Sequence, residues 1–197
     1  MSNGPIVIKV VALIVLLVAT VVGCHAHFNN EFKKTWDDMP GFADECKELS
    51  ECPSEAIPME RTFVALTIIC LILSTFSLVA GFVMDVKKFK APDAGYHGLA
   101  GVLLLISGIL MIVAAIKIDD AIMDATGLGG LSWKLSSATS MLLSTLKSPP
   151  TGKDIVSDVK DEIRKELKFY NKLAGGGLAI IDGILYFVAA GIIARSG

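Results

Sequence analysis

Residues 62–84 read TFVALTIICLILSTFSLVAGFVM, a run of 23 residues without a charged side chain. A helix that crosses the roughly 30 Å hydrocarbon core of a bilayer needs about 20 such residues. Three further apolar runs have a similar length, and the four predicted spans are residues 5–23, 62–84, 98–116 and 173–194. With 53% hydrophobic residues and a mean hydropathy of +0.62, the chain is too apolar for a water-soluble domain. We therefore predict an all-α membrane protein, a single domain built as a four-helix transmembrane bundle.

The connections between the predicted spans differ in charge. The first connection, residues 24–61, carries nine acidic and four basic side chains, whereas the short second connection, residues 85–97, carries three lysines within four positions. Short loops that are rich in lysine and arginine stay in the cytoplasm. This rule places residues 85–97 and both termini in the cytoplasm, and it places the first connection and the third, residues 117–172, outside. We predict an integral plasma-membrane protein whose first partner is the lipid bilayer.

The first apolar run allows a second interpretation, as a cleaved signal sequence. The run Val21-Val22-Gly23-Cys24 resembles the lipid-attachment box of bacterial lipoproteins, which would leave a lipidated Cys24 and three spans. Against this, Lys9 is the single basic residue of the segment, and the apolar run is longer than the 7–15 residues of a usual signal sequence. We favour a retained first helix, in which the long side chain of Lys9 reaches the lipid headgroups.

The acidic first connection holds two cysteines, Cys46 and Cys52. If this connection faces an oxidising compartment, the two are expected to form a disulfide. Cys24, at the mouth of the first span, is a competing partner. Cys70 lies inside the second span, where we expect an unreactive thiol.

Asp182 is the one acidic residue well inside a predicted span. A charge at that depth costs several kcal/mol, so an intramembrane acid is a functional-site hypothesis by default. Its candidate roles are a proton relay, an ion site, or a hydrogen bond to Ser74, Ser77 or Ser107 on another helix. The alternative is a protonated aspartate that is hydrogen-bonded within the bundle. We favour this structural role, because the sequence offers no buried base as a transport partner.

Other chemistry has little support in the sequence. The tract Cys24-His25-Ala26-His27 offers three potential metal ligands, whereas a closed zinc site needs four in a tetrahedral array. No GxSxG, HExxH or Walker A sequence occurs. We predict no enzyme activity, no cofactor, no metal site and no nucleic-acid partner.

The third connection carries an apolar residue at every third or fourth position before the fourth span: Val156, Val159, Ile163, Leu167 and Tyr170. This spacing predicts one apolar face on a helix. No glycine or proline separates that helix from the fourth span until Gly175. We therefore predict that the fourth helix projects outward as one continuous element before it enters the bilayer.

Glycines recur in the third and fourth spans. Gly176 and Gly183 are seven positions apart in the fourth span and so share one face of a helix. Small residues let membrane helices approach closely, where association depends on packing rather than on the hydrophobic effect. These glycines predict bundle packing and no chemistry.

The layout resembles that of the claudin, peripheral myelin protein and epithelial membrane protein superfamily. The features that carry the resemblance are Trp36 followed by Cys46 and Cys52, Arg61 at the start of the second span, and the glycines Gly98, Gly101 and Gly108 of the third span. The resemblance implies a small extracellular β-sheet, stapled by Cys46–Cys52, over a left-handed four-helix bundle. It also implies a role for Trp36 and Arg61 in loop recognition or packing. The family's Gly-Leu-Trp before the first cysteine is absent, and Trp36 stands ten positions before Cys46.

Layout and resemblance together predict a non-enzymatic four-span protein that acts in cell adhesion at junctions, in membrane organisation, or in modulation of partner membrane proteins. Its extracellular loops would carry recognition, and it would work as a homo-oligomer or with lateral partners. The alternative is a channel or transporter, or an auxiliary subunit of one, with Asp182 near the pathway. Oligomers that are crosslinked in native membranes would favour the first function, and ion flux that is abolished by Asp182→Asn would favour the second.

Overall fold

The computed structural model of the chain describes residues 4–38, 41, 53–83, 86–127 and 161–195. Its helices are α1 (Gly4–Phe28), α2 (Glu31–Asp38), α3 (Ala56–Val83), α4 (Val86–Gly127) and α5 (Phe169–Arg195), and a shorter helical segment covers residues 161–166. The described residues contain no strand. Helices α1, α3, α4 and α5 are long and apolar enough to cross a membrane, which confirms the predicted all-α four-helix membrane fold.

Each of the four long helices has two neighbours in the bundle. Helix α1 packs against α3 and α5, and α4 packs against the same two helices. Helices α1 and α4 therefore lie on one diagonal, and α3 and α5 lie on the other. Consecutive helices run in opposite directions, so α1 and α4 begin at the same end. We call this end the Lys9 end, and we call the opposite end, where α1 finishes, the His27 end.

Glycines bring α4 and α5 into backbone contact, as their spacing predicted. A Cβ atom added to Gly176 would lie 2.8 Å from the carbonyl oxygen of Gly108. A Cβ atom added to Gly183 would lie 2.9 Å from the carbonyl oxygen of Gly101. Any larger residue at these positions must push the two backbones apart. These contacts set the relative height of α4 and α5 in the bundle.

The two adjacent glycines Gly176 and Gly177 give a matched test of this contact. We expect Gly176→Ala to lower the free energy of unfolding by about 1–3 kcal/mol, because its methyl group overpacks against the Gly108 backbone. A Cβ atom on Gly177 meets no described atom within 4 Å, so Gly177→Ala is expected to be neutral or slightly stabilising. Equilibrium unfolding in mixed micelles measures both variants, and equal losses would contradict the packing.

The helices are longer than the apolar runs that predicted them. Helix α3 begins at Ala56, six residues before Thr62, and α4 begins at Val86, so most of the predicted cytoplasmic connection 85–97 is helical. Pro92 lies near the start of α4 and faces outward. The added turns contain polar residues, which lie outside the apolar runs of the sequence. A helical bundle can bury such residues when they have hydrogen-bond or ion-pair partners. The assignment of residues 85–97 to the cytoplasm stays a prediction.

The prediction of one continuous helix from the third connection into α5 is wrong, because a turn interrupts the helix. The helical segment 161–166 ends in a turn at Leu167 and Lys168, and α5 starts at Phe169. Lys168 has a φ of 54°, in the left-handed region. Val156 and Val159 of the predicted apolar face lie outside the described residues.

The turn folds the helical segment onto the rim of the bundle instead of letting it project. Ile163 and Leu167 are buried in a cluster with residues of α2, α3 and α4. Arg164 adds two hydrogen bonds to Asp119 of α4, from Nε to Oδ1 at 3.0 Å and from Nη2 to Oδ2 at 2.9 Å. The free energy gained by burying this apolar face against the bundle therefore exceeds the cost of breaking the continuous helix that the sequence predicted.

Lys168 tests the energy of this turn. A non-glycine residue in the left-handed region carries a conformational penalty that glycine lacks. We therefore expect Lys168→Gly to raise the free energy of unfolding by about 0.5–1 kcal/mol. The control Lys165→Gly, inside the helical segment, is expected to lower it by about 0.5–1 kcal/mol. Thermal unfolding of both variants checks the signs, and a loss from Lys168→Gly would contradict the left-handed turn.

Candidate functional site

A group of polar side chains that we call the Lys9 cluster joins α1, α3 and α4 at the Lys9 end. Lys9 Nζ lies 2.5 Å from Asp93 Oδ2, and Ser77 donates a 2.6 Å hydrogen bond to Asp93 Oδ1. His97 Nδ1 lies 2.8 Å from the Asp93 carbonyl oxygen and 3.3 Å from its Oδ1. The carboxylate of Asp93 binds the ammonium group of Lys9, a partner that the sequence did not reveal, and the reach of Lys9 to the lipid headgroups stays a prediction.

A second group, the Glu60 cluster, lies at the His27 end. Lys172 Nζ lies 2.6 Å from Glu60 Oε1, and His27 Nδ1 lies 2.8 Å from Glu60 Oε2. Asn30 donates to the same Oε2 at 3.3 Å. Glu60 and Asn30 are 0% exposed and Lys172 is 1% exposed, and the contact of Lys172 Nζ with Glu60 Oε1 is an ion pair without hydrogen-bond geometry. Such burial is tolerated when each charge has partners, and removal of one partner leaves an expensive charge behind.

The two lysine–carboxylate pairs lie on different diagonals of the bundle. Lys9 and Asp93 connect α1 to α4, whereas Glu60 and Lys172 connect α3 to α5. The packing contacts run mainly between neighbouring helices. Each end of the bundle is therefore joined across its interior by an ion pair, and the two ends use opposite diagonals. Removal of one partner from either pair would leave an uncompensated buried charge.

Between these ends lies a group that we call the hydroxyl cluster: Ser74, Tyr96 and Tyr186. Ser74 Oγ lies 2.6 Å from the Tyr96 hydroxyl and is hydrogen-bonded to the Tyr186 hydroxyl. The His97 ring stacks on Tyr186, with ring centroids 5.3 Å apart and an interplanar angle of 28°. The imidazole thus contacts both the hydroxyl cluster and Asp93 of the Lys9 cluster.

Asp182 is 0% exposed, and neither of its carboxyl oxygens has a hydrogen-bond partner among the described residues. The expected hydrogen bond to a serine is absent there for a clear reason. Ser74 is engaged with the two phenols, Ser77 with the Lys9 cluster, and Ser107 donates to a carbonyl of its own helix. Asp182 is therefore a buried acid whose expected partners are engaged elsewhere.

Trp36 and Arg61 lie at the His27 end, at the rim. Trp36 on α2 packs against the buried apolar cluster that contains Ile163 and Leu167, and its ring centroid is 6.1 Å from that of Phe32. Arg61 on α3 is exposed and donates from Nη2 to Asp37 Oδ1 at 3.0 Å. Both side chains thus contribute to holding α2 on the bundle. A role in recognition stays a prediction.

The predicted cysteine pair lies outside the described residues. The disulfide between Cys46 and Cys52 therefore stays a prediction. Cys24 and Cys70 are free thiols. In the tract that resembles a metal site, His27 is bound to Glu60 while its neighbour His25 is exposed. Among the described residues, no group of three or more metal-ligating side chains is placed to hold an ion.

Charges at the rim respond to pH. The hydrogen bond from Lys33 lowers the pKa of Asp37, with a further contribution from the charge of Arg61. The hydrogen bond from Lys117 lowers the pKa of Glu55 in the same way. A carboxyl whose folded pKa is depressed stabilises the fold at neutral pH and loses this contribution as the pH falls through the folded pKa. The effect is expected to be small, because both carboxylates are exposed.

The sequence reasoning missed Glu60, Asp93 and Lys172 because each lies near the end of an apolar run. One signal was present. Glu60, Thr67 and Ser74 are spaced seven apart, so they line one face of α3, and all three are buried. A polar stripe inside an apolar helix indicates polar partners on the facing helices.

Comparisons with protein-family models, with curated proteins and with solved structures find no match to this chain.

Proposed function

We propose that the protein is a non-enzymatic organiser of the membrane, which associates laterally with a second copy of itself or with other membrane proteins. Its work would be adhesion, membrane organisation or modulation of those partners. A claudin-like first loop, the Cys46–Cys52 disulfide and cytoplasmic termini in the plasma membrane belong to the same proposal.

The observation that best supports this proposal is the fixed geometry of the bundle. An ion pair joins α1 to α4 at one end of the bundle, and another joins α3 to α5 at the other end. Glycine contacts fix the position of α5 along the axis of α4. We expect a bundle joined in this way to present a constant outer surface to a partner. The face of α3 offers a continuous row of large apolar side chains at steps of four, three and four: Ile72, Phe76, Val79 and Val83, exposed by 63%, 67%, 55% and 80%. Such a row suits either lipid or the apolar face of another membrane protein.

Crosslinking in native membranes and in dilute liposomes tests lateral association. We expect discrete oligomers or defined heteromeric products, and a fall in their yield for the double variant Ile72→Ala/Phe76→Ala. The matched control is Ile181→Ala/Ile184→Ala on the outer face of α5, where both residues are 54% exposed. A protein that stays monomeric at every density and gives no defined product would contradict the proposal.

A second candidate is a channel or transporter, or its auxiliary subunit. The observation in its favour is Asp182, a fully buried acid whose oxygens have no hydrogen-bond partner among the described residues. Ion flux in reconstituted liposomes that disappears with Asp182→Asn would support it. Flux that persists in that variant, or a sealed liposome with no flux, would contradict it.

A further inference from the structure

We infer that Asp182 is a proton-binding site that exchanges its proton with water at the Lys9 end only, through the hydroxyl cluster. This inference goes beyond the scaffold role, because reversible protonation of a membrane-embedded acid requires neither oligomers nor net ion flux. It assigns a ligand, the proton, to a side chain that the packing of the bundle leaves unused.

The surroundings of Asp182 favour the neutral acid as its resting form. An ionised carboxylate at the middle of a membrane helix costs several kcal/mol when no partner compensates it. Among the described residues, the titratable groups that interact electrostatically with Asp182 are the Cys70 thiol of α3, the Tyr96 phenol of α4 and the Tyr186 phenol of α5. Helix α1 contributes the apolar side chain of Leu16 to this layer. None of these neighbours supplies a positive charge, so the carboxyl holds a proton at rest.

Polar groups continue from Asp182 towards the Lys9 end. Tyr186 is one helical turn further along the same face of α5 and belongs to the hydroxyl cluster. His97 stacks on Tyr186 and lies 3.3 Å from Asp93 Oδ1. Lys9, bound to that carboxylate, has a side chain that is 10% exposed and so reaches the surface of the bundle. These groups line a polar side of the bundle interior by which water at this end reaches the hydroxyl cluster.

The opposite direction is apolar. Lys172, the charged residue of α5 in the Glu60 cluster, is ten positions before Asp182, about 15 Å along the helix axis. The intervening layer is a buried cluster of apolar side chains that includes Phe63 and Met111. Thr67 lies in this layer, and its hydroxyl donates to carbonyl oxygens of its own helix, at 2.9 and 3.2 Å. Ser74 also bonds to a carbonyl oxygen of its own helix, but it differs from Thr67 in its additional bonds to two phenols. Access is therefore one-sided.

The exchange conserves charge and involves no oxidation. On release, side-chain motion brings the Asp182 carboxyl to the Tyr186 hydroxyl one turn away, the O–H bond of Asp182 breaks, and its proton passes to that hydroxyl oxygen. That hydroxyl gives its own proton onward to water that enters at the Lys9 end. One proton leaves, one carboxylate remains, and every hydroxyl ends with the proton count it began with. Loading is the reverse sequence.

Infrared spectroscopy of the reconstituted full chain tests both parts of the inference. A protonated carboxyl inside a protein has its own C=O stretching band, which shifts when D₂O replaces H₂O. We expect such a band in the wild type, its loss in Asp182→Asn, and its exchange to slow by about tenfold or more in Tyr186→Phe. Ser74→Ala provides a second interruption of the hydroxyl cluster. Thr67→Val is the matched control on the closed side and should leave the exchange rate unchanged.

Each outcome decides the inference. A wild type without the band, or a band that persists in Asp182→Asn, would overturn the proton site. Exchange that slows in Thr67→Val, or that is equally fast in Tyr186→Phe and Ser74→Ala, would overturn access from the Lys9 end. Circular dichroism of each variant identifies any that fails to fold, and the remaining variant of the pair then gives the result. Loss of oligomers in the crosslinking experiment would leave the infrared result untouched.

Discussion

Lys172→Met is expected to lower the free energy of unfolding by about 3–5 kcal/mol, which is the usual consequence of leaving one member of a buried ion pair alone. The methionine matches the length and apolar stem of lysine, so the loss arises from the charge and not from a cavity. Glu60 keeps hydrogen bonds from His27 and Asn30 but loses its compensating ammonium group. Equilibrium unfolding in mixed micelles measures the effect.

The control is Lys34→Met, which removes an ion pair with Glu31 on the exposed surface of α2. Exposed pairs contribute about 0–1 kcal/mol, so this variant should resemble the wild type. The double variant Glu60→Leu/Lys172→Met removes both charges and is expected to recover part of the loss. If Lys172→Met is as mild as Lys34→Met, then Lys172 is not buried against Glu60.

In contrast to Lys172→Met, Asp182→Ala is expected to raise the free energy of unfolding by about 1–3 kcal/mol. This is the penalty that an unsatisfied buried polar group imposes on the wild type. The side chain makes no hydrogen bond among the described residues, so its removal breaks no such bond there. The small cavity left by the substitution offsets part of the gain. Unfolding under the conditions used for Lys172→Met measures it.

Ser74→Ala is the contrasting variant in the same part of the core. Its hydroxyl bonds to Tyr96 and Tyr186, so its loss should destabilise the bundle while Asp182→Ala stabilises it. A stabilising substitution at a buried acid fits a residue that is retained for function rather than for the fold. If Asp182→Ala is as destabilising as Ser74→Ala, the carboxyl has a structural role.

The fold could be predicted from sequence because a bilayer imposes a simple rule. An apolar run such as residues 62–84 has few alternatives to a membrane helix, since every backbone group must be satisfied within the segment. The ends of the helices could not be predicted in the same way. Glu60 and Asp93 look like loop residues by composition, and their burial depends on a lysine that is far away in the chain.

The side-chain contacts inside the bundle could likewise be predicted only in part from the sequence. Asp182 could be singled out from the sequence alone, because a lone acid in an apolar run is conspicuous. Its surroundings could not, since the serines that looked available as partners are engaged elsewhere in the structure. The break at Lys168 was also hidden, because a lysine carries no signal for a left-handed turn.

Double-mutant cycles across the two diagonal ion pairs test the central claim most directly. The cycles combine substitutions at Lys9 with those at Asp93, and substitutions at Glu60 with those at Lys172, in the reconstituted protein. We expect a coupling energy of about 1.5 kcal/mol or more within each pair. The crossed control of Lys9 with Glu60, at opposite ends, should be additive within about 0.5 kcal/mol. Additivity within either diagonal pair would contradict a bundle whose two ends are joined across opposite diagonals.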